Sequence, residues 1–282
     1  MVACPDFLAI GHVTRDLLPN GGSTVGGTAT YASLTARALG VSVGVLTSAS
    51  PDLDVAGALP GIHLHILPAS QATTFENIYD GTARKQIVHG VASALLPADL
   101  PPGWEAAPVV LLAPIARELG AGWPGAFHCA LIGVTPQGWM RRWDADGLVH
   151  ARPWEEAAEI LPAVDVLCFS EDDVARDEQI IRQYSDAARI AVVTRGRGGA
   201  TVFRNGTRRD LPAFRAQEVD PTGAGDVFAA AFLVRLRETG DPYLAARFAN
   251  CAAAFAIEGP GTSTIPSRRQ VEERLLRNEL YD

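Results

Sequence analysis

The sequence lacks several patterns that would place it in a familiar class. Its four cysteines stand far apart and form no C-x-x-C pair, so neither a disulfide framework nor a zinc site is expected. The most apolar run, 227–236, has about half the length that spans a bilayer, so no membrane partner is expected. The first residues show no basic segment followed by an apolar run, which predicts a cytoplasmic location.

An excess of positive charge is also missing. The 282 residues carry 24 Lys and Arg against 32 Asp and Glu, a formal net charge of −8. An acidic chain is a poor general binder of nucleic acid, so no nucleic-acid partner is expected. No G-x-x-x-x-G-K-[ST] is present, which excludes a P-loop. Gly223 and Gly225 lack the third glycine of a dinucleotide-binding fingerprint, because Phe228 occupies its place.

Hydrophobic residues, in contrast, are plentiful at 48% and can form a large core. Short apolar runs alternate with helical patterns, which predicts an α/β fold with a mostly parallel sheet covered on both faces. A helix is expected over 28–39, with Gly40 at its C-terminal cap. The predicted strands are 7–10, 41–47, 62–67, 109–112, 130–134, 164–169 and 190–194.

Two segments interrupt this alternation. Residues 73–89 have β-rich ends around Asp80-Gly81, a strong signal for a two-residue hairpin turn. This hairpin is either a flap that projects from the sheet or an ordinary edge hairpin. A second turn is expected at Asp146-Gly147. No linker or internal repeat divides the chain, so a single domain is expected.

The strongest local signal is the string D-P-T-G-A-G-D at 220–226, which an apolar helix pattern follows at once. Glycines allow close backbone approach, and a helix start offers unpaired N–H groups at the positive end of its dipole. Gly223, Ala224 and Gly225 therefore predict an anion hole. Asp226 beside it can accept the proton of an attacking hydroxyl during phosphoryl transfer. The alternative is that Asp226 only complements the helix dipole and that the glycines only make a turn.

This string resembles the C-terminal signature of the ribokinase-like (PfkB) carbohydrate and nucleoside kinases. Other segments resemble family elements in the same order along nearly the whole chain. These are Asp16, Gly26-Gly27, 194–199, 249–254 and 259–266. The resemblance implies one domain over 1–282 of three layers, α/β/α, with a mostly parallel central sheet and a small or reduced β lid, the 73–89 segment serving as its flap.

The same resemblance implies an ATP-dependent kinase that phosphorylates a hydroxyl group, with Asp226 as the catalytic base and Asp16, Gly26 and Gly27 holding the acceptor. The residues expected at the nucleotide are Thr194, Gly196, Gly199 and Asn250. Without the family, Asp16 suits a surface turn and Asn250 a hydrogen-bonded helix residue.

The family's Asn-x-x-Glu element, which organises magnesium and phosphate, departs from pattern in this chain. It falls at 170–173, where Ser170 replaces Asn and Asp173 replaces Glu. Oxygen ligands suit Mg²⁺, so Glu171 and Asp173 are the candidate metal residues, with the shorter Asp173 acting through water. The alternative is a solvated acidic helix start.

A monovalent cation is a further expectation from the resemblance. Many relatives bind one, such as K⁺, beside the signature string and the loop that follows the last long helix. The corresponding residues of this chain are Asp220, Thr222 and the 259–266 loop.

The acceptor is expected to be a sugar, polyol or nucleoside. Only nine residues separate Asp16 from Gly26, so any lid element there is very short, and the 73–89 hairpin is expected to be the only flap. The combination of this short loop, Gly26-Gly27 and the 170–173 element looks closest to inositol-kinase-like members. It favours a polyol or sugar, with myo-inositol as the named candidate and a ribokinase or nucleoside kinase as the alternative.

Three residues of the flap, Thr74, Glu76 and Asn77, are candidates to face that acceptor. A hypothesis of another class is a non-catalytic sugar or nucleotide sensor on the same fold, since a fold does not fix a function. The assembly is expected to be a monomer or a homodimer.

Overall fold

The computed structural model describes residues 3–80 and 83–281. The strands in these residues are β1 (Phe7–Ile10), β2 (Thr14–Leu17), β3 (Ser23–Gly26), β4 (Val43–Ala49), β5 (His63–Pro68), β6 (Thr74–Asp80), β7 (Ala83–Gly90), β8 (Val109–Leu112), β9 (Leu131–Val134), β10 (Arg141–Trp143), β11 (Val149–Ala151), β12 (Val166–Ser170), β13 (Ile190–Thr194), β14 (Ala200–Arg204) and β15 (Thr207–Leu211). The α-helices are α1 (Thr28–Ala38), α2 (Val55–Ala58), α3 (Ala157–Ile160), α4 (Glu178–Ala187), α5 (Ala224–Thr239), α6 (Pro242–Ala256) and α7 (Arg268–Arg277). In this described part of the chain, no helix has the length and apolar character needed to cross a membrane.

A nine-stranded sheet forms the centre, in the order β15-β14-β13-β12-β9-β8-β1-β4-β5. Every pairing from β13 to β5 is parallel, and β14 and β15 run antiparallel at one edge. The prediction of a mostly parallel sheet is confirmed. The predicted strand ends differ from the observed ones by up to two residues, because ladder hydrogen bonds set where a strand stops.

Two apolar cores cover the two faces of this sheet. Successive side chains of a strand point to opposite faces, so Phe7 and Ala9 pack toward α1, α5 and α6, while Leu8 and Ile10 pack toward the other face. The second core contains four buried tryptophans and residues of α3 and α4. The arrangement is the expected three-layer α/β/α architecture.

A separate four-stranded sheet, in the order β3-β2-β6-β7, forms the lid. The 73–89 hairpin is part of this second sheet and not an edge of the central one, and Gly81 of its predicted turn lies outside the described residues. The expectation that the hairpin is the only flap is wrong. The chain from Thr14 to Gly26 forms two strands, β2 and β3, that pair with each other, and β2 also pairs with β6. Strands as short as β2 and β3 can form a lid because β6 of the hairpin pairs with β2.

The second predicted turn is confirmed between β10 and β11. Gly147 has a φ of +81°, and a Cβ added there would lie 2.4 Å from the Val88 carbonyl oxygen. The Val88 amide donates to the Gly147 carbonyl oxygen at 2.9 Å. Glycine is therefore required for this turn to dock against the lid.

A buried histidine joins the lid to the central sheet. His12 follows β1, and its Nδ1 lies 2.7 Å from the Thr73 hydroxyl, while its Nε2 lies 2.9 Å from the Ser93 carbonyl oxygen. The Ser93 carbonyl can only accept, so a neutral His12 ring carries its hydrogen on Nε2, and the Thr73 hydroxyl donates to Nδ1 while it accepts from the Ala92 amide at 2.9 Å. One imidazole thus connects the chain segments that enter and leave the lid.

His12→Ala is expected to destabilise the protein by about 2–4 kcal/mol, because it leaves a cavity and two buried polar groups without their partner. The measurement is the free energy of unfolding in urea. The exposed His63, on the edge strand β5, provides the control, and His63→Ala should stay within about 0.5 kcal/mol of wild type. Equal losses in the two variants would contradict a connecting role for His12.

Candidate active site

A cavity of about 520 Å³ opens between the lid and the carboxyl ends of the parallel strands. Thr135, Ser170 and Thr194 line it from the ends of β9, β12 and β13. Phe75 and Asn77 line it from the lid. This is where open α/β sheets usually bind ligands.

Most of the site residues that the sequence predicts lie around this one cavity. Those in its lining are Asp16, Gly27, Asp173, Thr194, Gly196, Gly199, Thr222, Gly223, Ala224, Gly225, Asp226 and Asn250. Gly26, Glu171 and Asp220 are outside the lining. The roles assigned to all of these residues stay predictions.

The start of α5 is fixed by a glycine and a tyrosine ring. Gly223 is the N-cap with a φ of +78°, a left-handed conformation that favours glycine. A Cβ added there would lie 2.2 Å from the ring of Tyr31, which is buried on α1. Any larger residue at this position would therefore displace the helix start.

The predicted anion hole is built from the first amides of α5, which have no partner inside the helix. The Ala224 amide donates to the Pro221 carbonyl oxygen at 3.2 Å, so it already has a partner. Gly225 faces open space, since a Cβ added there would meet no atom within 4 Å. A phosphate can therefore approach the helix start most closely at the Gly225 and Asp226 amides.

The carboxyl group of Asp226 has a strongly raised pKa. Burial raises the pKa of its carboxyl group to about 7, although a hydrogen bond from the Thr28 side chain opposes the shift. The nearby Asp173 carboxylate adds to the rise, and the Arg141 charge counteracts it. A carboxyl group with a pKa near neutrality suits proton transfer at physiological pH.

The end of the cavity beneath the lid, which is the predicted acceptor end, contains polar groups from the lid strands. Asp16 on β2 accepts a hydrogen bond from the Thr14 hydroxyl at 2.9 Å. Gly26 lies beside it, because a Cβ added there would be 2.1 Å from an Asp16 carboxylate oxygen. On the hairpin, the Gln86 amide donates to the Asn77 side-chain oxygen at 3.0 Å.

Of the three flap candidates, Asn77 is in the cavity lining and Thr74 and Glu76 are not. The Glu76 carboxylate oxygen Oε2 lies 2.7 Å from His89 Nε2 on the exposed side of the hairpin. Residues 75 and 77 share one face of β6, which explains why Phe75 lines the cavity together with Asn77.

The sequence analysis did not identify Arg141 and Gln137 as site residues. Both line the cavity, and the Arg141 guanidinium lies 5.7 Å from the centre of the Phe75 ring. Arg141 starts the hairpin β10–β11, and nothing in the local sequence distinguishes it from Arg142 next to it. Only the docking of this hairpin beside the lid brings Arg141 near Asp226.

The two candidate metal residues differ in their surroundings. Glu171 accepts from the Arg195 guanidinium at 2.6 Å, and both side chains are largely buried outside the cavity. Asp173 lines the cavity, and burial raises its pKa while the backbone amide of Ser170 donates to it at 2.9 Å. Asp173 can therefore present an oxygen to a water ligand of Mg²⁺, and Glu171 is engaged elsewhere.

The predicted donor end of the cavity is bounded by the 194–199 loop and by α6. Gly199 has a φ of +84°, and a Cβ there would lie 2.0 Å from the Leu211 carbonyl oxygen. The Asn250 amide nitrogen donates to the Leu211 and Pro212 carbonyl oxygens at 3.3 and 3.2 Å. Asn250 thus anchors the chain after β15, and a direct contact to adenine stays a prediction.

Asp220 connects the signature string to the loop after α6. Its carboxylate accepts from the Thr222 amide at 3.0 Å and from the Gly261 amide at 2.9 Å. The expected cation-binding residues are therefore assembled around one carboxylate, and cation binding itself stays a prediction.

Comparisons with known proteins agree with this geometry. Residues 144–268 match the model of the pfkB family carbohydrate kinases. The chain is 30% identical over 262 residues to the cytidine kinase of Thermococcus kodakarensis, covering 81% of this chain and 87% of that protein. The chain belongs to the PfkB family of carbohydrate kinases. Family membership supports an enzyme that transfers a phosphoryl group to an alcohol.

Other relatives differ in their named acceptors. The inositol 3-kinase of Oryza sativa is 27% identical over 302 residues, which cover 95% of this chain and 72% of that protein. The ribokinase of Bacillus subtilis is 40% identical over 84 residues, which cover 29% of each chain. The match thus spans less than a third of that ribokinase, and the family alone does not identify the acceptor.

Solved structures show the same fold. A pyrophosphate-dependent kinase of the ribokinase family, complexed with a pyrophosphate analogue and myo-inositol, superposes with a TM-score of 0.77 at 22% identity, covering 94% of this chain and 99% of that chain. Arabidopsis thaliana ribokinase with ribose and ATP gives a TM-score of 0.75 at 19% identity, covering 96% and 99%. At these identities the likeness establishes the fold alone.

Asp226→Asn is expected to stabilise the folded protein more at pH 8 than at pH 5. A raised pKa means that the folded state keeps a proton which the unfolded chain has already lost, so wild-type stability falls as pH rises from about 4 through 7. The neutral amide of Asn removes this pH dependence. The measurement is the free energy of unfolding in urea, for wild type and for Asp226→Asn, at pH 5 and at pH 8.

The exposed Asp186 on α4 supplies the control, since Asp186→Asn should shift stability equally at both pH values. If Asp226→Asn behaved in the same way, the carboxyl group would not be desolvated and its assignment as a base would lose its physical support.

Proposed function

We propose that this protein transfers the γ-phosphoryl group of MgATP to a hydroxyl of a small polyol or sugar. One observation carries the proposal. The Asp226 carboxyl, with a pKa of about 7, shares a cavity with the first amides of α5 and with Asp16. A base, an anion site and an acceptor-binding carboxylate are thus present together.

In the proposed reaction, Asp226 takes the proton of the acceptor hydroxyl as its oxygen bonds to the γ-phosphorus. The bond from phosphorus to the β,γ-bridging oxygen breaks, and ADP leaves with that electron pair. The Gly225 and Asp226 amides stabilise negative charge on the transferring group. Mg²⁺, held through water by Asp173, would neutralise phosphate charge when bound.

A monovalent cation such as K⁺ would bind near Asp220 and Thr222. Its effect would be to fix the start of α5 relative to the 259–266 loop, because the Asp220 carboxylate already bonds both segments. The cytoplasmic location and the assembly as monomer or homodimer also stay predictions.

The acceptor end supports a compound with several hydroxyl groups. Asp16 offers acceptors, Arg141 and Gln137 offer donors, and the amides of Asn77 and Gln86 offer both. A ring such as myo-inositol, with a hydroxyl on every carbon, can bond such a set from several sides. We therefore favour myo-inositol or a related carbohydrate.

A ribokinase or nucleoside kinase activity is the second candidate, since a cytidine kinase and a ribokinase are among the relatives. A nucleobase at the acceptor end would need an aromatic face for stacking. One face of the Phe75 ring is already covered by the Arg141 guanidinium, which lies 5.7 Å from the ring centre. A polyol needs no such face.

The donor end favours a nucleotide over pyrophosphate. Apolar groups continue the cavity beyond the helix start, and pyrophosphate would leave them without contact. They are Ala213, Phe214, Ala253, Ala254 and Ile257. A structural neighbour is named as pyrophosphate-dependent, so both donors belong in the test.

Asp226→Asn is expected to lower kcat by about 10²–10⁴-fold, because general base catalysis contributes that much. The dissociation constant for ATP should change little. For wild type, kcat/KM for the acceptor should rise with pH and level off above about 7, following the pKa of Asp226. Asp186→Asn should keep wild-type kcat.

The readout is release of ADP, or of phosphate from pyrophosphate, with myo-inositol, ribose, fructose, cytidine and adenosine as acceptors. Turnover by Asp226→Asn at the wild-type rate would refute the assignment of the base. Binding of ATP and polyol without turnover in wild type would favour the non-catalytic sensor.

Asp16→Asn is expected to raise the KM for the acceptor by about tenfold to a hundredfold, through loss of charge-assisted hydrogen bonds. The KM for ATP should stay within about twofold, because Asp16 lies at the other end of the cavity. Steady-state kinetics with each substrate varied in turn measures both values. Asp52, whose carboxylate pairs with Arg15 on the surface, gives the matched control Asp52→Asn.

A further inference from the structure

The segment that ends at Tyr281 closes the donor end of the cavity. Tyr281 lines this end together with Ala213 and Phe214. Its backbone amide donates to the Ala213 carbonyl oxygen at 3.0 Å, and the Arg215 amide donates to the Glu279 carbonyl oxygen at 2.9 Å. The two segments therefore pair as a short antiparallel ladder.

The Tyr281 hydroxyl adds two hydrogen bonds to a single residue of the facing segment. It donates to the Ala216 carbonyl oxygen at 2.9 Å and accepts from the Ala216 amide at 3.2 Å. Both polar groups of Ala216 are thus satisfied by one side chain. This fixes the backbone direction of 213–216, which has no strand or helix of its own.

Side chains of α6 and α7 also bond this part of the chain. Asn250 bonds the carbonyl oxygens of residues 211 and 212, and the Arg274 guanidinium bonds the Arg215 carbonyl oxygen. Arg274 is itself buried and paired with Glu258 at 2.9 Å. Helices α6 and α7 therefore support one edge of the stretch, and Tyr281 supports the edge that meets the cavity.

The α6 side of the donor end is lined by small and aliphatic groups, Ala253, Ala254 and Ile257, and the Phe214 ring belongs to the 213–216 stretch. A planar base fits between such surfaces only if their separation is held constant. Phe214 lies within the stretch that Tyr281 bonds at Ala216, so Tyr281 helps to set that separation from the cavity side.

We propose that Tyr281 is a positioning residue of the donor site, which holds the 213–216 wall at the distance that a nucleotide base requires. This inference rests on the proposed use of a nucleotide donor. It adds a residue from the far end of the described chain to that site, where the sequence analysis placed none.

The test compares Tyr281→Ala and Tyr281→Phe with wild type. Tyr281→Phe keeps the ring and removes both bonds to Ala216, so the KM for ATP and its calorimetric dissociation constant should rise about threefold to tenfold. Tyr281→Ala should raise them further. The acceptor KM and kcat at saturating ATP should stay within about twofold.

Tyr243→Phe is the matched control, since the Tyr243 hydroxyl lies 3.4 Å from the Thr207 hydroxyl and outside the cavity lining. Unchanged ATP binding in Tyr281→Phe, or equal rises in the ATP and acceptor KM, would overturn the inference. Wild type that binds no ATP would instead overturn the nucleotide donor itself. If Tyr281→Ala does not fold, Tyr281→Phe decides alone.

Discussion

The partial burial of the Asp226 carboxyl, at the start of α5 and on the cavity wall, is the constraint on which the rest of the site depends. Burial disfavours the charged form and brings the pKa to about 7, within reach of proton transfer. The same helix start directs backbone amides into the cavity. Gly223 and the Tyr31 ring fix where the helix begins. The Asp226 carboxyl and the amides at the start of α5 therefore move together, and a shift of one would displace the other.

The cavity joins two ends of opposite chemistry. Around Asp16 and Arg141 its walls are polar, which suits hydroxyl groups that would otherwise lose their hydrogen bonds to water. Near Phe214 and Ile257 its walls are apolar, which suits a base whose faces gain by leaving water. The helix start lies between them, where the proposed phosphoryl transfer would bring its two substrates together.

The acceptor end depends on contacts that hold the lid to the central sheet. His12 connects the segments that enter and leave the lid, and Gly147 of the second hairpin bonds Val88 on β7. These are buried hydrogen bonds, which have strict geometry and are costly to leave unmade. The lid residues Asn77 and Gln86 are thus set at defined positions relative to Asp226.

The parallel sheet, the α5 start and the carboxylate at 226 were determined by the sequence itself, because apolar periodicity and the 220–226 string are local signals. Tertiary structure decided what depends on distant partners. It paired β2 with the hairpin, brought Arg141 beside Phe75, and engaged Glu171 with Arg195 outside the cavity. Such contacts arise between segments far apart along the chain. No short stretch of sequence encodes them, since each partner's position follows from how the whole core packs.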